Sequence, residues 1–251
     1  MGSGFSAEKR SGPVRAAQIG DVCKERIAVD GQRATWSKVD EDSPSSLISR
    51  ECASRGLLHW TLRVTGAKRI IISAVPADFG TGETADLACP PPEPRWAVGH
   101  GVKGFRDRDG DGAISTNEMQ NSLERITCKH GDRFAVTADM DRQRLLIYQA
   151  TERVEKDSTS SGRWRKVLDT PTLCGVVRLS VTCFLEGSVE VVDLKSEIKE
   201  QITQIYAAHK ERKTADVEQL LREWAGEEAG LLANIQAKYL FLPQPLIVSV
   251  D

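Results

Sequence analysis

The sequence predicts a mainly β fold with an α-helical end: an antiparallel β-sandwich followed by a C-terminal helical segment. Two patterns carry this prediction. Between residues 22 and 193, short apolar runs are separated by turn residues, and from Leu194 onward apolar residues recur at helical spacing. The opening residues are rich in glycine and serine. We therefore expect a flexible tail over residues 1–21, a sandwich over 22–193 and a helical region over 194–251.

The β region contains several runs whose pattern identifies single strands. LLHWTLRV at residues 57–64 alternates, whereas RIIISAV at 69–75 is the fuller apolar run of a strand buried on both faces. DRFAVTADM at 132–140 and RLLIYQ at 144–149 form a pair joined by a turn, and two more runs follow within 175–193. Consecutive strands joined by short turns favour an antiparallel sandwich.

Three stretches of this region together resemble the SPRY family. GLLHWTLRVTGAKRIIISAVPADF at 56–79 is similar to the family's glycine, aromatic pair and following strand, and RWAVGH at 95–100 to its Trp-x-x-Gly strand. HGDRFAVTADMDRQRLLIYQ at 130–149 resembles its Gly-Asp strand, Asp-rich turn and returning strand. The sequence departs from the family after Trp60, and where an acidic segment replaces a hairpin. Over residues 23–193 the resemblance implies a concanavalin-like sandwich that displays loops to protein partners and catalyses no reaction.

The helical region predicts two or three amphipathic helices. Their apolar residues recur three and four positions apart. These residues are Leu194, Ile198, Ile202, Ile205, Val217, Leu220, Leu221, Trp224, Leu231, Leu232, Ile235 and Tyr239. The segment also resembles a helical module that recurs in protist and algal proteins, to which we assign no chemistry. That resemblance is carried by Tyr206, His209, Lys213, Leu220, Leu221, Trp224, Gly226, Glu228, Lys238 and Tyr239. We expect a helical hairpin that packs its apolar stripe on the sandwich or on another protein.

The segment DRDGDGAISTNE at residues 107–118 has the ligand pattern of an EF-hand calcium loop. Such a loop binds Ca²⁺ through oxygens at its positions 1, 3, 5, 7, 9 and 12, and needs glycine at position 6. Gly112 stands at that position, and the apolar Ile114 two residues later suits a loop that packs on its surroundings. The six predicted metal ligands are Asp107, Asp109, Asp111, the backbone carbonyl of Ala113, Ser115 through a water, and Glu118 as the closing bidentate carboxylate.

The surroundings of this loop fit an EF-hand only in part. Met119, Leu123 and Ile126 predict an exiting helix that Gly131 would end. The preceding residues, PPEPRWAVGHGVKGF, predict no entering helix, and the sequence contains no second DxDxDG loop. Three interpretations stay open: a calcium loop, which the number of matching positions favours, a solvated acidic turn, and a magnesium site. Magnesium fits less well because it prefers fewer protein oxygens.

Composition and motifs argue against several other classes of function. The 34 basic and 36 acidic residues leave a formal charge of −2, which argues against a nucleic-acid partner. The sequence has no GxSxG, GxxxxGK[ST], GxGxxG or HExxH motif, so we expect a protein that is not an enzyme.

Cys128 and His130 fit a chance surface pair better than a catalytic pair. Trp164, between Arg163 and Arg165, fits a strand with one buried face better than an exposed contact.

The start of the chain and its cysteines predict a cytoplasmic protein. MGSGFSAEKRSGP lacks the apolar core of a secretory signal, and no apolar run reaches the eighteen or so residues of a bilayer span. Gly2 and Ser6 match the M-G-x-x-x-[ST] motif, and myristoylation of Gly2 would give weak membrane association. The six scattered cysteines include no CxxC pair and suit reduced thiols.

Together these patterns predict an intracellular, non-catalytic calcium-binding protein, an adaptor or sensor with an EF-hand-type loop on a SPRY-like sandwich. Calcium would neutralise the carboxylates, order the loop and change a surface that a protein partner reads. The alternative is a SPRY-like protein–protein interaction module that acts independently of calcium.

Overall fold

The computed structural model describes residues 12–22, 26–37, 45–66, 69–79, 97–100, 124–150, 162–170, 173–209 and 216–240. The strands in these ranges are β1 (Val14–Ala16), β2 (Ile19–Val22), β3 (Ile27–Asp30), β4 (Arg33–Trp36), β5 (Ser45–Ser49), β6 (Leu57–Thr65), β7 (Ile70–Pro76), β8 (Ala97–His100), β9 (Glu124–Arg125), β10 (Arg133–Asp139), β11 (Arg144–Ala150), β12 (Trp164–Thr170), β13 (Val177–Cys183) and β14 (Gly187–Val191). The helices are α1 (Lys195–Ala208), α2 (Val217–Glu223) and α3 (Glu228–Leu240). None of the helices described has both the length and the hydropathy that a bilayer span requires.

The strands form two sheets in which most neighbours run antiparallel. In the eight-stranded sheet the order is β12-β11-β10-β6-β14-β4-β3, and β1 lies parallel beside the first three residues of β6. The second sheet has six strands in the order β2-β5-β13-β7-β8-β9, of which β8 and β9 run parallel. The structure thus confirms the predicted antiparallel sandwich followed by a helical segment.

The main core lies between the two sheets and follows from alternation along the strands. Leu58, Trp60 and Leu62 of β6 belong to one buried cluster with Phe134 of β10 and Val181 of β13, which lies in the other sheet. The intervening residues of β6 lie on the opposite face, so the predicted alternation is confirmed. Six of the seven residues of β7 are buried, as predicted for RIIISAV.

A second apolar layer lies on the outer face of the eight-stranded sheet, beneath the helices. Ala150 and Trp164 form a buried cluster with apolar residues of all three helices. The backbone N–H of Trp164 donates a hydrogen bond of 2.9 Å to Oε1 of Gln236 in α3. Trp164 is only 2% exposed, so it is a packing residue and not a surface contact. Of the two surfaces considered for the helical region, the sandwich is the one that it covers.

The sheets begin earlier in the chain than the sequence predicts. Strand β1 lies within residues 1–21, and β2 begins within them and ends at Val22. The expected flexible tail therefore does not extend to residue 21. Backbone hydrogen bonds explain the difference. The N–H of Leu57 donates to the carbonyl of Pro13 at 2.9 Å, and the N–H of Ala17 donates to the carbonyl of His59 at 2.7 Å. Such pairing needs no apolar side chain, so a pattern of apolar residues does not reveal it.

Candidate functional site

The segment of the chain that contains the predicted calcium loop lies between two strands that are neighbours at one edge of the six-stranded sheet. All six predicted ligands, residues 107–118, lie outside the described residues. The strands on either side are described: β8 ends at His100 and β9 begins at Glu124, and Val98 lies opposite Glu124 in the parallel register. With strand spacing of about 4.8 Å and a rise of about 3.3 Å per residue, the Cα atoms of residues 100 and 124 lie roughly 8 Å apart.

The chain that follows the acidic segment is attached to the main core. The backbone N–H of Ile126 donates to the carbonyl of Gly99 at 3.0 Å, and the side chains of Ile126 and Cys128 are buried between the sheets. The predicted exit helix therefore does not reach Ile126, because the backbone at Glu124 and Arg125 pairs with β8 instead. Gly131 lies in a turn with φ of +86° before β10 and does not end a helix.

The cysteines of the described part do not form a reactive pair with histidine. Burial, with a smaller contribution from the charge of Asp132, raises the pKa of Cys128 to about 12, whereas His130 is exposed. Burial also raises the pKa of Cys183. A nucleophilic cysteine needs a lowered pKa, so both buried thiols stay protonated at neutral pH. Cys52 and Cys174 are free and exposed.

A cavity of about 510 Å³ lies between the outer face of the eight-stranded sheet and the helical region. Its floor includes His59 and Thr61 of β6 and Thr137 of β10. Its walls come from β1, from the connection between β14 and α1, from the start of α1, and from the turn between α2 and α3. Parts of the chain that are distant in sequence thus line one partly open space.

The cavity lining carries more acidic than basic groups. Asp193, Glu227 and Glu228 supply three carboxylates, and Lys195 supplies one ammonium, which gives a formal charge of −2 when His59 is neutral. Burial lowers the pKa of His59, although the charges of Glu228 and Asp193 act in the opposite direction. Its ring forms no hydrogen bond within the described part of the chain. At pH 7 His59 is therefore a neutral imidazole beside carboxylates.

The turn between α2 and α3 is bound to the floor of this cavity. Gly226 has φ of +83°, and its N–H donates to Oε2 of Glu228 at 3.0 Å. The hydroxyl of Thr137 donates to the carbonyl of Gly226 at 2.7 Å. These contacts give a structural reason for the glycine and the glutamate of the Trp-x-Gly-x-Glu pattern at residues 224–228. They attach the helical region to the central strands of the sheet.

Four other residues of the helical pattern lie at the far ends of α1 and α3, whereas Lys213 lies outside the described residues. The rings of Tyr206 and Tyr239 meet edge to face with centroids 5.7 Å apart, and the ring of His209 lies 5.1 Å from that of Tyr239. The ammonium of Lys238 donates to the hydroxyl of Tyr239 at 2.9 Å. These side chains pack one helix on another, as the hairpin interpretation expects.

No pattern in the sequence predicts the cavity. Two weak signals were available: the polar His59 and Thr61 on the outer face of β6, and the consecutive acids Glu227 and Glu228 at the start of α3. Neither predicts a cavity by itself, because polar residues on an outer face and acids at a helix start are both ordinary features.

No family model and no curated protein matches the chain. Among solved structures, the PSpry domain of TRIM65 matches with a TM-score of 0.41 and 9% identity, over 72% of this chain and 93% of that chain. The SPRY domain of human HERC1 matches with a TM-score of 0.35 and 10% identity, over 69% and 98%. Both are structures of the SPRY class. The sandwich fold of this chain is defined by its own sheet order and strand register.

Proposed function

We propose that the chain is a non-catalytic calcium-binding protein in which an EF-hand-type loop projects from the edge of a protein-interaction scaffold. The observation that carries the proposal is the agreement of residues 107–118 with the calcium pattern at all six ligand positions and at Gly112. A solvated acidic turn has no need of this combination of glycine, spacing and closing glutamate. The resemblance to SPRY domains supports the choice of a protein as the partner.

Calcium binding would act on the sandwich through the two ends of the acidic segment. Without the ion, Asp107, Asp109, Asp111 and Glu118 repel one another, and bound calcium removes that repulsion. The segment begins after β8 and ends at β9, whose neighbour Ile126 is buried in the main core. Ordering the loop would thus stabilise this sheet edge and alter the surface offered to a partner.

Calorimetry of the chelator-stripped protein with calcium, in physiological magnesium, tests the proposal. We expect one site per chain, and a higher melting temperature with calcium because the ion binds only the folded loop. At a free calcium concentration of one hundred times Kd, the free energy of unfolding should rise by about 2.7 kcal/mol. Glu118→Gln should weaken binding strongly, because it removes the bidentate carboxylate.

The matched control is Glu186→Gln, which removes an exposed carboxylate in the turn between β13 and β14 and should leave calcium affinity unchanged. Equal affinity of Glu118→Gln and the original protein would refute the site. Absence of both heat and melting shift would leave the calcium-independent interaction module as the better function. In that case a pull-down should recover the same protein partners with calcium and with chelator.

A further inference from the structure

From the cavity beneath the helices we infer that the protein has a second binding site, one that takes a small amphipathic amine as its ammonium cation. This site is separate from the acidic loop. The loop is joined to the edge of the six-stranded sheet, whereas the cavity lies on the outer face of the eight-stranded sheet. The two proposals can therefore fail independently.

The size and the walls of the cavity suit a small organic molecule. Ligand sites in proteins have volumes of about 300 to 1,000 Å³ and are mainly apolar with a few polar groups, and this cavity of about 510 Å³ lies within that range. Val14 of β1, Val192 of the connection between β14 and α1, and Ile198 of α1 contribute apolar surface. Such walls would hold a short alkyl chain by removing it from water.

The charge of the lining selects the head group of the ligand. Three carboxylates and one ammonium surround the cavity, and His59 adds no positive charge because burial lowers its pKa. The phenol of Tyr148 is also neutral, since burial, with the charges of Glu227 and Asp169, raises its pKa to about 12. The net negative charge of the lining stabilises a bound cation, has little effect on a neutral alcohol and repels a carboxylate.

The carboxylates of Glu228 and Asp193 retain hydrogen-bonding capacity beyond their contacts with the protein. One oxygen of Glu228 accepts from the N–H of Gly226, and one oxygen of Asp193 accepts from the backbone N–H of Lys195 at 2.9 Å. An ionised carboxylate has about four acceptor positions, so each of these groups can accept further hydrogen bonds. An ammonium group has up to three donors to offer and matches this need.

Three probes of equal length test the inference: n-hexylammonium chloride, 1-hexanol and sodium hexanoate. Each is titrated into the full chain while backbone amide shifts are followed by NMR. We expect saturable shifts for hexylammonium at amides of the cavity lining, such as Thr61 and Gly226. Hexanol should bind about tenfold more weakly, and hexanoate more weakly still, because only the head group differs.

Two variants test the contribution of charge and of space. Glu228→Gln keeps an acceptor oxygen for the N–H of Gly226 but removes a charge, and should weaken hexylammonium binding by about tenfold. Ala16→Trp, on an exposed position of β1 beside the cavity, should block binding by filling the space. The matched controls are Glu223→Gln on the exposed face of α2 and Ala28→Trp on the exposed face of β3, which should both bind as the original protein does.

The inference is overturned if the three probes bind with equal affinity or if the shifts lie away from the lining residues. It is also overturned if Ala16→Trp binds hexylammonium as well as Ala28→Trp does. None of these results depends on calcium, because the titrations are made in the presence of chelator. A positive result with an inert acidic loop would leave the amine site as the better-supported function.

Discussion

Gly226 shows how much of the tertiary arrangement depends on one residue. Its φ of +83° lies in the left-handed region, and a Cβ at this position would lie 3.1 Å from the side chains of both Leu57 and Val14. Its N–H and its carbonyl are both bound, by Glu228 and by Thr137. Only glycine satisfies the backbone angle and the close approach to β6 and β1 together.

Gly226→Ala should therefore lower the free energy of unfolding by about 1–2 kcal/mol, through backbone strain and through crowding against β6. Urea unfolding of the variant measures this. Gly66→Ala is the control, because Gly66 has a similar φ of +91° but no atom within 4 Å of the added Cβ. If Gly66→Ala costs as much as Gly226→Ala, close packing of the turn on the sheet is not the cause.

Among the elements, β1 is a strand whose place in the sheet depends on hydrogen bonds from neighbouring segments. Its three residues are all exposed, so burial of apolar side chains contributes little to its position, although Val14 approaches Gly226. The side chain of Asp141, in the turn between β10 and β11, accepts hydrogen bonds from the N–H of Gly12 at 3.1 Å and of Gly56 at 2.8 Å. The hairpin turn thus joins the start of β1 to the start of β6.

Asp141→Ala should release β1 from the sheet edge without unfolding the sandwich. We expect backbone amides at Val14–Ala16 to exchange with solvent about fivefold faster, because a lost hydrogen bond is worth roughly 1 kcal/mol. Hydrogen exchange followed by NMR measures this. Asp30→Ala, at the exposed end of β3, is the control and should leave this exchange unchanged. Unaltered protection in Asp141→Ala would show that backbone pairing alone holds β1.

For the whole molecule, the helical region is a third layer and not an appendage. The outer faces of antiparallel sandwiches usually meet water and carry polar residues. Here Ala150 and Trp164 lie on that face and are covered by helices, and an ion pair joins Arg133 of β10 to Glu197 of α1. The eight-stranded sheet is therefore apolar on both faces in this area, and the fold needs the helices to cover it.

Deletion of residues 194–251 should consequently destabilise the sandwich. The exposed outer face would bind an apolar dye such as anilinonaphthalene sulfonate, and the midpoint of thermal unfolding should fall, because buried apolar area is lost. Dye fluorescence and melting curves of the shortened and full chains measure both effects. A shortened chain with the original melting temperature and no added dye binding would instead identify the sandwich as an independent domain.

The elements with the clearest local pattern were the ones that could be predicted. LLHWTLRV, the hairpin of β10 and β11, and the stripes around Ile198 and Leu231 all lie where the sequence predicts strands and helices. The short strands β1 and β9 were not predicted, and the exit helix proposed at Ile126 is replaced in part by β9. Two or three residues are too few for periodicity to be visible, so pairing with β6 or β8 decides their conformation.

The sequence by itself determined the antiparallel sandwich, the helical end and the acidic pattern of residues 107–118, because each is expressed in residues that are close together in the chain. Only the tertiary structure decided which surface the helices cover, where β1 lies and that a cavity forms between them. These depend on contacts such as Leu57 with Pro13 and Thr137 with Gly226. Residues so far apart leave no mark in the local spacing of apolar and polar side chains, because their pairing is set by the packing of whole layers.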